Sequence, residues 1–185
     1  MRVALLCLAL ASPAAAAPVA YVLEPELSSV GFEADFGPDR ITGRMPVSRA
    51  DLTLDFDQVA RSKVAVSLDV GGADASFPFA AQAMKGPKVL DAVDFPQITF
   101  ASTSVQAKGE GAVVEGIVTI RGVAKPMLMQ AVIWRQKGHA AGDLLHLTIR
   151  LTGTVNRSDF GATGWADMVG DQVRLDILAR IARVE

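Results

Sequence analysis

The segment GIVTIRGVAKP, from Gly116 to Pro126, alternates apolar and polar residues and then reaches a turn. Val118 and Ile120 fall on one face of an extended chain, because successive side chains of a strand point to opposite faces. Gly122 suits a tight turn that needs a positive φ. Pro126 suits the first residue of the next strand, where no backbone N–H is needed. The segment therefore predicts a β-hairpin with one apolar face.

The same alternation recurs in most of the chain after residue 20. Strict alternation indicates strands with one buried face, and it predicts further strands around Val30–Phe36, Leu52–Phe56, Val64–Val70, Ile98–Phe100, Ile149–Leu151 and Val173–Ile181. Turn residues separate the strands at Gly37–Asp39, Gly71–Asp74, Lys108–Gly111, Lys137–His139 and Gly170–Asp171. About eight strands joined by short turns predict an all-β fold. An eight-stranded antiparallel up-and-down barrel is favoured, because closure removes exposed sheet edges.

One segment departs from this period of two. Residues Phe77–Lys85 are rich in alanine, carry Pro78 near their start and are followed by Gly86 and Pro87. Alanine favours helix, while proline and glycine suit a helix start and end. We therefore predict a short helix across one end of the barrel.

The N-terminus has the organisation of a secretory signal peptide. Arg2 precedes the apolar stretch Val3–Ala11, and small residues follow it. This stretch is shorter than the roughly 20 residues that span a bilayer, so we favour cleavage after Ala16 over a retained N-terminal anchor. The chain then consists of a signal peptide, residues 1–16, and one domain, residues 17–185.

The composition argues against several other classes of protein. Cys7, the only cysteine, lies in the predicted signal peptide, which excludes a disulfide-rich domain. A formal charge of −2 without a basic cluster argues against nucleic-acid binding. His139 and His146 lack the spacing and the companions of a metal site. No serine lies in a nucleophile-elbow context. From these observations together we expect no metal, no cofactor and no catalytic residue.

Four segments, taken in order, resemble the signature of the YceI-like family. They are DFPQITFAST at Asp94–Thr103, GIVTIRGVAKP at Gly116–Pro126, NRSDFG at Asn156–Gly161 and DQV at Asp171–Val173. The resemblance extends from about Tyr21 to about Ala182. It implies a lipocalin-like barrel in a periplasmic protein that takes up an isoprenoid-type lipid, such as a polyprenyl lipid or a quinone. It also allows a dimer and transient membrane contact, and the sequence leaves the oligomeric state open.

The chain departs from the family pattern at polar positions. Family members often carry His-Ser at the start of the first long strand and a second His at its end, where this chain has Leu27-Ser28 and Phe36. In the helical segment they often carry Arg-Asp-x-His, where this chain has Ala80, Ala81 and Ala83. These departures argue against a polar head-group or metal site, and they favour either a purely apolar cavity or a relative that has lost the original ligand.

The NRSDFG segment has two interpretations. Arg157 and Asp159 stand at i and i+2, so an extended chain would place them on one side and could pair them. Such a pair could grip a ligand head group. Alternatively, the segment is a structural corner held by side-chain to backbone hydrogen bonds.

The resemblance places the ligand inside the barrel, where each buried methylene would contribute about 0.8 kcal/mol. The small residues Ala34, Gly116 and Ala179 are expected to leave room for it among larger ones. The strand residues predicted to line the site are Val30, Phe32, Ala34, Phe36, Phe100, Val118, Ile120 and Ile177. Phe79 and Met84 are predicted to face inward from the helix, which could act as a lid.

Two other functions stay open at this point. One is an interaction module with a filled barrel that partners a membrane redox protein without binding lipid. The other, less favoured, is an enzyme that uses the Arg157 and Asp159 corner on an isoprenoid head group.

Overall fold

The computed structural model describes residues 17–134 and 143–184. The predicted signal peptide and the predicted turn at Lys137–His139 lie outside these residues. The described strands are β1 Val19–Leu23, β2 Ser29–Phe36, β3 Asp39–Met45, β4 Val47–Leu54, β5 Lys63–Asp69, β6 Asp74–Ala75, β7 Gln97–Lys108, β8 Gly111–Ile120, β9 Val123–Trp134, β10 His146–Asn156 and β11 Val169–Arg183. The helices are α1 Pro78–Lys85 and the short 3-10 helices Pro25–Leu27, Val59–Arg61 and Arg157–Phe160.

The strands form a closed antiparallel barrel of eight strands, as the sequence predicted. Three of the eight positions around the barrel are each occupied by two shorter segments. The segments β1 and β2 both pair with β11, on either side of the helix Pro25–Leu27. The segments β3 and β4 meet at Pro46 and pair with β2 and β1, and β6 and β5 continue the sheet on their far side. Breaks of this kind bend the sheet, which closing a small barrel requires.

The hairpin of β8 and β9 confirms the predicted turn. Ile120 pairs with Val123, and both Arg121 and Gly122 have positive φ, +49° and +72°. This is the two-residue geometry whose twist matches that of antiparallel strands. The prediction for Pro126 was wrong: it lies inside β9, before the part of β9 that pairs with β10. A missing N–H is tolerated there because, among the described residues, this part of β9 pairs only with β8.

The predicted turn at Gly170–Asp171 was also wrong, because both residues lie in β11. They fall where the pairing of β11 with β2 changes register, between Val169 and Val173. The backbone here runs close to Asp35, and a side chain at Gly170 would meet the Asp35 Cβ at 3.3 Å. The glycine therefore marks a bulge within a strand, which a sequence pattern does not separate from a turn.

Three apolar clusters pack the barrel. One lies near its first strand around Tyr21, Leu54, Leu147 and Ile181, where the Phe56 ring packs edge-on against Tyr21. A second lies under α1 and contains Met45, Val70 and Ala73, with Met84 packed against it. The largest is formed by the inward faces of β7, β8 and β9 together with Phe160. Helix α1 lies beside β6 and covers one end of the barrel, which confirms the predicted helix.

Charged pairs lie on the outer face, away from these clusters. Arg174 bonds to Glu33 and Asp35, and Arg150 makes two hydrogen bonds to Asp176. The Arg174 guanidinium holds the pKa of the Asp35 carboxyl below its usual value, and Arg150 does the same for the pKa of Asp176.

Burial raises the pKa of the Tyr21 hydroxyl, which donates to the Leu144 carbonyl. Among the described residues no helix has the length and apolar content needed to cross a membrane.

Replacing Gly43 with alanine is expected to destabilise the barrel by about 1–3 kcal/mol, the usual cost of overpacking. A Cβ at this position would lie 2.2 Å from Phe32 Cζ and 2.3 Å from the Asp74 carbonyl oxygen, so both β2 and β6 would have to shift. Urea unfolding followed by tryptophan fluorescence would measure the change. Gly71→Ala is the matched control, since its nearest neighbour is only the Asp69 carboxylate at 3.2 Å. Equal destabilisation by both variants would contradict the expectation.

Candidate functional site

The interior of the barrel holds a cavity of about 650 Å³. Its lining is supplied by strands from all round the barrel and by α1, and it is almost entirely apolar. Its volume falls within the range of about 300–1,000 Å³ that is typical of ligand pockets. The barrel is therefore hollow enough to hold an apolar molecule and is not simply filled by its own side chains.

All ten residues that the sequence singled out border this cavity: Val30, Phe32, Ala34, Phe36, Phe79, Met84, Phe100, Val118, Ile120 and Ile177. Val118 is 5% exposed, whereas its neighbour Ile117 is 39% exposed, so β8 presents one face to each side as the alternation predicted. Phe79 is 74% exposed and lies at the cavity rim. Contact of these ten residues with a ligand stays a prediction.

The expectation that Gly116 leaves room in the cavity was wrong. The ring of Phe100 lies over this glycine, and a Cβ there would be 2.4 Å from Phe100 Cζ. Phe32 on β2 covers Gly43 on β3 in the same way. The glycines thus let two large rings lie flat against the sheet, while Ala34 and Ala179 do border the open space.

Several lining residues were missed at the sequence level. Met127 and Met129 share one face of β9, and the alternation of β9 could have found them. Met45 closes β3 beside Pro46, where the strand is broken. Met168 lies in the irregular segment before β11, so no periodic signal points to it.

The charged side chains that border the cavity within the described residues are already engaged or lie near the surface. Asp55, 5% exposed, accepts hydrogen bonds from the Asp57 and Gln58 amides at 3.0 and 2.7 Å, and Arg61 lies 3.4 Å from its other oxygen. Glu110 is exposed in the turn between β7 and β8. Asp55 is therefore a buried charge that is already ion-paired with Arg61, and Glu110 is a surface charge, so neither is positioned as an unpaired buried charge for gripping a head group.

Arg157 is the third charged residue at the cavity among the described residues, and its side chain holds a structural corner of the backbone together. Its guanidinium donates to the backbone carbonyls of Gly170, Ala162, Gly164 and Val169 at 3.0, 2.5, 2.8 and 2.8 Å. The segment is a 3-10 helix rather than an extended chain, so the predicted pairing with Asp159 was wrong. Residues two apart in a helix do not face each other. The guanidinium N–H groups of Arg157 instead donate hydrogen bonds to backbone carbonyls.

The segment between α1 and β7 covers the same end of the barrel as the helix. Leu90, Asp91 and Ala92 donate their amides to carbonyls at the end of α1 and just after it. Arg121 ties this segment down, since its guanidinium donates to the Val89 carbonyl at 3.1 Å and to the Gly161 carbonyl at 2.7 Å. The turn of the β8–β9 hairpin thus fixes the cover of the cavity.

Arg121→Ala is expected to loosen this cover, because two hydrogen bonds to a charged group are lost and two carbonyls lose a partner. Hydrogen exchange of the Leu90, Asp91 and Ala92 amides should become at least about tenfold faster, which corresponds to about 1.4 kcal/mol of local stability. Arg49→Ala is the control, because Arg49 is a surface residue whose ion pair, with exposed Asp51, lies far from this segment in the sequence. Unchanged exchange in Arg121→Ala would show that other contacts hold the cover.

No group of three or more metal-ligating side chains comes together among residues 17–134 and 143–184. His146 is the exposed first residue of β10, as expected from its position near a strand start, and His139 lies outside the described residues.

The comparisons with known proteins agree with one another. The model of the YceI-like domain family matches residues 21–181. A UPF0312 protein of Shewanella oneidensis is 31% identical over 144 residues, covering 76% of this chain and 72% of the relative. The crystal structure of Burkholderia cenocepacia BcnA has a TM-score of 0.77 at 21% identity and covers 86% of this chain and 99% of that one. A polyisoprenoid-binding domain from Saccharophagus degradans has a TM-score of 0.66 at 12% identity, covering 90% and 99%. At these identities the two structures show a shared fold.

Proposed function

This chain belongs to the YceI-like family, and on that premise we propose that it binds a hydrophobic isoprenoid-type ligand, such as a polyprenyl lipid or a quinone, inside its barrel. The observation that carries the proposal is the apolar cavity of about 650 Å³. A long apolar chain gains about 0.8 kcal/mol for each methylene taken out of water. Such a ligand can therefore be held without any polar contact.

The residues at the end of the barrel that α1 covers support specificity for an apolar ligand. Ala80, Ala83 and Phe36 border the cavity, and they stand at positions where family members often carry Arg or His. Each replaces a polar side chain with an apolar one. The polyisoprenoid-binding domain of Saccharophagus degradans has the same fold, which makes an isoprenoid the first ligand to test here.

Binding is favoured over catalysis. The corner residue that could have acted on a head group, Arg157, has its donors bonded to backbone carbonyls. A hollow interior also favours a carrier over a filled interaction module. As a carrier in the periplasm, the protein would exchange its lipid by transient membrane contact at the α1 end, where Phe77 and Phe79 are exposed beside the cavity.

Mass spectrometry of an organic extract from the purified protein tests this proposal. A co-purifying prenyl chain is the expected result, and empty extracts from several expression hosts would favour the interaction module. Turnover of the extracted lipid by the protein would favour the enzyme instead. Osmotic-shock fractionation of cells that express the full chain tests the location, and retention in the spheroplasts would contradict export.

A further inference from the structure

The cavity contains nearly all the methionine of this protein. Six methionines occur in the sequence, and five of them border the cavity, while Met1 lies outside the described residues. The five come from separate parts of the fold: Met45, Met84, Met127, Met129 and Met168. A mature chain cleaved after Ala16 has no cysteine, so these thioethers are its only sulfur groups. We propose that the cavity mouth is a methionine oxidation site, where a peroxide converts Met168 and then Met84 to the sulfoxide and so lowers retention of the bound lipid.

The five thioethers differ in their access to solvent. Met168 is 47% exposed and Met84 on α1 is half-buried, whereas Met45, Met127 and Met129 are all less than 10% exposed. Oxidation follows access to the sulfur. An oxidant in solution therefore reaches Met168 first, Met84 second and the three inner residues last.

The backbone holds Met168 at a fixed place. Its amide donates to the Trp165 carbonyl at 3.0 Å, and its carbonyl accepts from the Gly37 amide at 3.1 Å, beside the end of β2. Modification of its side chain leaves these bonds intact. The change is therefore local to the rim of the cavity, near Phe36.

The chemistry needs only a peroxide. The sulfur lone pair attacks one peroxide oxygen, the O–O bond breaks, the sulfur gains an S–O bond, and hydrogen peroxide is reduced to water. The product is a polar acceptor in a lining that has few polar groups. An apolar ligand laid over it removes water from that acceptor and supplies no donor, which is unfavourable. Reduction of the sulfoxide by methionine sulfoxide reductases restores the thioether.

The inference rests on the proposed function, and the experiment separates the two by using two probes. Geranylgeraniol, a twenty-carbon isoprenoid alcohol, tests isoprenoid binding, while Nile red reports on any apolar cavity. The purified protein is treated with dilute hydrogen peroxide, peptide mapping gives the order of oxidation, and far-ultraviolet circular dichroism verifies the fold. For each variant, the quantity reported is the ratio of its affinity after peroxide treatment to its affinity before treatment.

We expect Met168 to be oxidised first and Met84 second, with about a tenfold loss of affinity for both probes that reductase treatment reverses. For the double variant that carries both Met84→Leu and Met168→Leu, this affinity ratio should stay near one. The variant Met168→Gln mimics the polar product, so it should weaken Nile red binding without oxidant. Complete oxidation of Met168 and Met84 with unchanged Nile red affinity overturns the inference, as does earlier oxidation of the inner methionines. Untreated protein that binds Nile red but not geranylgeraniol overturns the proposed function and leaves the oxidation result readable.

Discussion

Val118→Asp is expected to lower isoprenoid retention by at least about a hundredfold. Val118 lies on the inward face of β8 and is packed among the largest apolar cluster. A carboxylate there faces an apolar lining, and covering it with a lipid costs several kcal/mol. Each 1.4 kcal/mol lowers affinity tenfold. Retention of radiolabelled geranylgeraniol by the purified variant measures the effect.

Ile117→Asp is the matched control, one residue away on the outer face of the same strand. Ile117 lies outside the cavity lining, so its variant should retain the lipid. Because Val118→Asp can also unfold the barrel, circular dichroism accompanies both measurements, and Val118→Thr provides a milder change of nearly the same shape. A folded Val118→Asp protein with full retention would show that the ligand does not occupy this part of the interior.

Arg157→Ala is expected to destabilise the protein by about 3–5 kcal/mol. The side chain is nine-tenths buried and its loss leaves four backbone carbonyls without their partner. Hydrogen bonds from a charged donor are each worth about 1.5–3 kcal/mol, and neighbouring ones are not additive. Arg157→Lys should recover only part of the loss, because a single ammonium group cannot reproduce the planar fork. Chemical denaturation of both variants gives the free energies of unfolding.

Arg150→Ala is the control for this second experiment. Arg150 makes a two-pronged pair with Asp176 on the outer face, and such exposed pairs contribute about 0–1 kcal/mol. A loss in Arg157→Ala no larger than that in Arg150→Ala would show that the corner holds without its arginine. A folded Arg157→Ala protein should still retain lipid, since the side chain contributes structure and not a contact to a head group.

The alternation read from the sequence agrees with the structure wherever the face of a single strand decides on which side a residue lies, while ligand contact by these residues stays a prediction. Strand side chains alternate between the two faces regardless of what surrounds them. The inward positions on β2, β8 and β11 therefore border the cavity, as for Phe32 and Ala34, Val118 and Ile120, and Ile177. The prediction from sequence failed where two segments meet. The corner at Arg157 depends on carbonyls that follow it in the chain and are brought round by the irregular segment before β11. The position of the Phe100 ring over Gly116 depends on the pairing of two strands.

The sequence by itself determined the family, the alternating strands and the short helix, because these follow from local periodicity and from motifs read in order. Only the tertiary structure decided that the barrel is hollow, that Gly116 holds a ring rather than leaving space, and that five methionines converge on one cavity. Packing of side chains from distant strands sets these features, and the distances between such side chains exist only once the barrel has closed.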